Sequence, residues 1–291
     1  AFISMVLLTV YTVYEAMRYS RQEIALLGLV GAYGIPFLIS ANSDRPELFF
    51  IYISLINLGV AFLFIKRSWR QVNWAAQVLT WVLFIGWASV NQTAGTKEEG
   101  VFFMCFFFLL FAASSVAFKI SGKRRFIDAD VWQICFSNAG LYIAALFIIG
   151  YSLNAGIAII TLSSSVLISL QVWFVLKYWK EELFLRKLLF TMALIMFVFF
   201  IFFNWDGFTV TLLWLLTAVV VFVCGFLKKS VSMRMLAIVL MGITLAKLLM
   251  LDSLSFGTIQ KVIAYLVLGT LLLGVSFFYQ KFKEQIFGRK H

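Results

Sequence analysis

The chain is a succession of long apolar runs divided by short polar connections. About eleven such runs can be marked, at roughly 1–16, 23–40, 47–65, 71–91, 100–119, 130–150, 154–176, 185–203, 207–227, 231–251 and 258–280. Each is continuous and close to the length of about 20 residues that a helix needs to cross the hydrocarbon of a bilayer. None shows the alternation of an outer-membrane barrel strand. The pattern therefore predicts an all-α fold, a polytopic transmembrane helical bundle of about eleven helices, with residues 1–291 as a single transmembrane domain.

The connections carry a second pattern, in charge. One alternate set holds Arg18 and Arg21, then Lys66, Arg67 and Arg70, then Lys119, Lys123, Arg124 and Arg125. It continues with Lys177, Lys180, Arg186 and Lys187, then Lys228, Lys229 and Arg234, and ends with Lys281, Lys283, Arg289 and Lys290. The other set holds only Arg45, Lys97, Lys247 and Lys261. Twenty of the 24 basic residues thus fall on one side. Cytoplasmic loops of membrane proteins are enriched in Lys and Arg. The split therefore predicts a cytoplasmic C-terminus and residue 1 on the outer side. Trp69, Trp132, Trp173, Trp179 and Trp205 fall near the expected interfaces, where an amphipathic ring is favoured.

Composition agrees with lipid as the main solvent. The 291 residues are 63% hydrophobic and 13% charged, against about 25% charged in an ordinary soluble domain. The net charge of +11 is distributed as topology signals, and no basic stretch is long enough to track a phosphate backbone, so no nucleic-acid partner is expected. Cys105, Cys135 and Cys224 stand singly in apolar runs and read as small buried hydrophobes. The single histidine, His291, is the last residue. No metal site, cofactor or catalytic residue is expected, and the nucleotide-loop, zinc-helix and nucleophile-elbow motifs do not occur. The chain opens inside an apolar run without an initiator Met, which reads as the start of a fragment.

Three features could carry function. The second run is glycine-rich and holds a proline: Gly28, Gly31, Gly34 and Pro36. It reads either as a broken helix lining a binding site or as a smooth stripe against a neighbour. Asp206, Lys247, Asp252 and Lys261 gather at the outer ends of the last runs. They read either as helix-end ion pairs or as an outer-side polar site for an anionic headgroup or solute. Finally, Asn57, Asn73, Gln77, Gln133, Asn138 and Gln171 lie inside runs. Amides in lipid need partners, either as interhelical glue or along a substrate path.

The end of the chain, Leu245-Ala-Lys247-Leu-Leu-Met-Leu-Asp252-Ser-Leu254 followed by Lys261-Val-Ile-Ala-Tyr-Leu-Val-Leu-Gly269 and Gly274-Val-Ser-Phe-Phe-Tyr279-Gln280, resembles the closing segment of a bacterial membrane-protein family, domain of unknown function 2339. The stretch from Leu26-Leu-Gly28 through Gly34-Ile-Pro36-Phe-Leu-Ile-Ser40 resembles an earlier segment of it. The resemblance implies a bacterial inner-membrane protein, the C-terminal part of a longer one, and brings no reaction or catalytic residue. The functional expectation is a transporter or flippase-like protein for an envelope lipid or solute. The alternative is a non-catalytic membrane scaffold or assembly partner of an envelope complex. Expected partners are the bilayer, a lipid or envelope solute, and another membrane protein.

Overall fold

A computed structural model describes residues 21–39, 46–90, 94–122, 125–149, 156–248 and 250, with isolated positions between 11 and 19 and between 259 and 273. Among these residues all regular structure is helical. Nine helices are defined: α1 (Gln22–Ile39), α2 (Pro46–Arg67), α3 (Arg70–Val90), α4 (Ala94–Gly122), α5 (Asp128–Ile148), α6 (Gly156–Tyr178), α7 (Leu183–Asn204), α8 (Gly207–Leu227) and α9 (Val231–Lys247). They coincide with the nine middle apolar runs.

The expected count of about eleven is not reached. The first and last runs, 1–16 and 258–280, fall outside the described residues apart from isolated positions. Among the described residues, six helices are long and apolar enough to cross a membrane: α2, α4, α5, α6, α7 and α8. Helix α9 has 17 residues, at the lower limit of a span. Helix α3 is diluted by Arg70, Gln71, Asn73, Gln77 and Thr80. Of these, Asn73, Gln77 and Thr80 are buried, whereas Gln71, at the helix start, is exposed. A helix enclosed by protein can be more polar than one facing lipid, because its neighbours supply hydrogen-bond partners.

The contacts divide the chain into two compact units, residues 1–189 and 190–291. In the first, α5 packs on both α3 and α4, and α2 on α4. The rings of Phe50, Phe84, Trp87, Phe103 and Phe107 interlock at one end of this bundle. Alternate connections meet at the other end. Gln22 bonds to Gln71, Phe64 stacks on Phe118, Arg70 pairs with Asp130 at 2.7 Å, and Lys119 pairs with Glu182. The start of α1 and the connections at residues 68–69, 126–127 and 179–182 therefore lie together. This is the same alternate set that carries most of the lysine and arginine.

Two close approaches fix the helix pairs. A Cβ at Gly140 of α5 would stand 2.5–2.7 Å from three ring atoms of Trp81 on α3. Only glycine lets these backbones come so near. In the second unit, a Cβ at Gly225 of α8 would stand 2.9 Å from Met233 Cβ and 3.0 Å from the Arg234 backbone of α9. The α8–α9 turn is closed by Lys229 in the left-handed region, φ 50°, with Ser230 N–H donating to the Gly225 carbonyl at 2.9 Å. This is the usual way for a helix to satisfy its last carbonyls. Trp214 Nε1 donates to the Val198 carbonyl at 3.1 Å and ties α8 to α7.

A candidate intramembrane cavity

The amides singled out in the sequence converge on α3. One set is closed. Tyr33 of α1 donates to Asn57 Oδ1 of α2 at 2.8 Å and lies 2.8 Å from Thr80 Oγ1 of α3. Asn57 Nδ2 donates to Thr80 Oγ1 at 2.9 Å. Three helices are joined by one buried network in which each polar group finds a partner. A satisfied network of this kind fixes a packing arrangement, so this part of the amide pattern is glue.

The second set is open. A cavity of about 320 Å³ lies between α4 and α6, over α5, and reaches α3. Its polar lining is Gln77, Ser115, Gln133, Ser137, Asn138 and Gln171. Phe108, Phe111, Leu167, Leu170 and Phe174 form much of its apolar wall. Part of the polar lining is paired. Asn138 and Gln171 bond amide to amide, at 3.1 and 2.9 Å, and Gln77 Nε2 donates to the Gln133 carbonyl at 3.1 Å. Gln77 Oε1, Gln133 Nε2 and Ser137 Oγ have no hydrogen-bond partner among the described residues. Their side chains are 0%, 3% and 4% exposed. A buried polar group left unpaired costs about 1–3 kcal/mol; three such atoms belong to residues lining this cavity, and Asn73 and Trp81 of α3 carry others away from it. Leu170 is exposed, so the cavity reaches the bundle surface beside it.

The other candidates fall out differently. Helix α1 runs through Pro36 to Ile39. Proline has no N–H to give to the carbonyl four residues back, and that carbonyl, on Ala32, accepts from Tyr52 Oη of α2 at 3.2 Å. Gly31 and Gly34 face open space, while Ala25, Leu29, Ala32 and Tyr33 form the buried side. In the second unit, Lys247 donates to Thr211 Oγ1 at 3.0 Å and to the Gly207 carbonyl at 3.5 Å. Asp206 is the N-cap residue of α8, without a side-chain cap bond. Asp252 and Lys261 lie outside the described residues. Glu15 and Arg18 pair at 3.6 Å, as their spacing suggests. Arg234 is buried, with Nε and one terminal nitrogen unpartnered among the described residues.

Sequence reasoning found Gln77, Gln133, Asn138 and Gln171, and missed Ser115 and Ser137. The signal for Ser137 was its place in a small-residue series on α5, with Gly140 and Ala144, facing α3.

Neither a curated protein nor a solved structure matches the chain. One family model does, described as a predicted membrane protein, domain of unknown function 2339, over residues 1–205 and again over 143–282. The helices, the apolar spans and this match lead to one statement of identity: the chain belongs to that predicted membrane protein family.

Proposed function

We propose that the protein is a transporter or flippase-like membrane protein that takes an envelope lipid or solute into the cavity between α4 and α6. The observation that carries this reading is the unpaired polar lining of Gln77, Gln133 and Ser137 in a cavity reaching the bundle surface. Cavities with a few convergent polar groups in a mainly apolar wall are the usual form of small-molecule sites. The chain crosses the inner membrane of a bacterium about eleven times, with its basic connections and C-terminus in the cytoplasm. That placement rests on the charge alternation and on the meeting of the basic connections at one end of the first unit. On this reading it is not an enzyme and uses no cofactor.

The test is lipid movement in vesicles. Full-length protein is reconstituted with a fluorescent phospholipid, and the rate at which inner-leaflet label becomes accessible to a membrane-impermeant quencher added outside is measured. Faster exchange than in empty vesicles, returned to the empty rate by Ala112→Phe, which puts a ring into the cavity that Ala112 lines, supports the reading. Exchange at the empty rate for fluorescent phospholipid, fluorescent glycerolipid and labelled long-chain alcohol alike overturns it.

A second reading, a scaffold or assembly partner, is favoured by one observation. Gly31, Gly34, Leu27 and Val30 present an exposed face on α1 with room for a neighbouring helix. Bulky substitution at Gly31 would then release a copurifying membrane protein.

A further inference from the structure

We infer that the occupant of this cavity is an uncharged lipid with a small, hydroxyl-bearing head, of the diacylglycerol or long-chain alcohol type. The inference rests on the transporter reading only for its biological setting, and its own basis is the chemistry of the lining.

The two amides make opposite demands. Gln77 spends its N–H on the Gln133 carbonyl, so its free Oε1 can only accept. Gln133 Nε2 is free and can only donate. Ser137 Oγ can do either. A group that serves both amides must donate and accept. A hydroxyl does this, whereas an ester, ether or quinone oxygen accepts only and leaves Gln77 Oε1 unpaired in a buried site.

Charge and depth narrow the class. Among the described residues, no Lys, Arg, Asp or Glu lines the cavity. Burying a phosphate or ammonium there without a counter-charge is strongly disfavoured. On these helices Arg70 is paired with Asp130 and Lys119 with Glu182, while Lys177, one turn beyond Phe174, lies over the Trp173 and Tyr178 rings. Gln77 and Ser137 each stand seven residues along their helices from Arg70 and Asp130, which is about 10 Å at 1.5 Å per residue. A phospholipid headgroup anchored at the ion-pair level does not reach this depth. A lipid whose head is one or two hydroxyls can sink to it. The wall of Phe108, Phe111, Leu167, Leu170 and Phe174 suits its hydrocarbon chain.

The test is equilibrium binding to the unmodified full-length protein in detergent, with radiolabelled 1,2-dioleoylglycerol as the probe. Competition by unlabelled dioleoylglycerol, its 3-O-methyl ether and dioleoylphosphatidate is compared. The expected result is saturable binding, with the methyl ether weaker by about tenfold or more and the phosphatidate weaker still. Competition by the methyl ether or the phosphatidate equal to that of dioleoylglycerol overturns the inference, as does the absence of saturable binding for both dioleoylglycerol and hexadecanol. Gln77→Leu should abolish the preference for the hydroxyl over its ether while leaving the melting temperature within a few degrees. Gln77→Glu, protonated in this uncharged site, would still donate to the Gln133 carbonyl and accept through its other oxygen, and should retain that preference if the first variant fails to fold. Hydroxyl-selective binding without movement of any probe across vesicles leaves this ligand class standing and removes the transporter reading. Movement without hydroxyl selectivity does the reverse.

Discussion

Replacing Gly140 by alanine isolates the packing argument in a single methyl group. A Cβ there would stand 2.5, 2.7 and 2.7 Å from three atoms of the Trp81 indole, far inside van der Waals contact. Trp81 is 1% exposed and has no room to swing. Overpacking of a close-packed site costs about 1–3 kcal/mol, and contacts this short belong at the upper end. Alanine also gains about 1 kcal/mol of helix propensity over glycine. The expected balance is a loss of about 2 kcal/mol. Gly31→Ala supplies the control, because a Cβ at that position meets nothing within 4 Å. It keeps the propensity gain without the clash and should stabilise by up to about 1 kcal/mol. Unfolding in mild detergent, followed by loss of helical circular dichroism against denaturant, measures both. If Gly140→Ala proves as stable as Gly31→Ala, α3 and α5 do not approach as described, and the cavity beside them loses its geometric basis.

Two further perturbations probe the polar contacts. Asp130→Asn should destabilise by about 2–3 kcal/mol in the same assay, since it removes the charge facing Arg70 and mismatches the bond from Ile127 N–H at 3.1 Å; adding Arg70→Gln should recover part of the loss, and simple additivity would deny the pair. Asn57→Leu should cost about 1–2 kcal/mol by opening the Tyr33–Asn57–Thr80 network, with Tyr33→Phe adding little on top, and fully additive losses would show that the three do not act together.

Much of the fold is written in the hydropathy of the chain, because a bilayer leaves a spanning segment few alternatives to a helix. The nine middle runs became α1–α9, with α4 starting six residues before its run, at Ala94, and α9 ending at Lys247, four residues before the end of its run. The charge alternation was legible for the same reason, and its physical counterpart is the meeting of Arg70, Asp130, Lys119 and Glu182 at one end of the first unit. The site was less legible. Gln77 and Asn57 look alike as single amides in apolar runs. What separates them is whether partners stand opposite, and that depends on the register between helices far apart in sequence. Asn57 meets Tyr33 and Thr80, while Gln77 Oε1 meets no partner among the described residues. Apolar side chains facing lipid and those facing protein are not distinguished by hydropathy, so a cavity between α4 and α6 leaves little trace in their sequences. Pro36 shows the converse limit. It signalled a break, but the carbonyl it leaves free is met by Tyr52 from another helix.

The most direct test of the central claim, that α3, α4, α5 and α6 enclose a ligand site, is a cryo-electron microscopy map of the full-length protein in nanodiscs of its own membrane lipids. The account predicts elongated density between α4 and α6, lying along Phe108 and Phe174, with one end within hydrogen-bond distance of Gln77 and Ser137. Side chains of Gln77, Gln133 and Ser137 bonded to one another, with α4 closed onto α6, would contradict it.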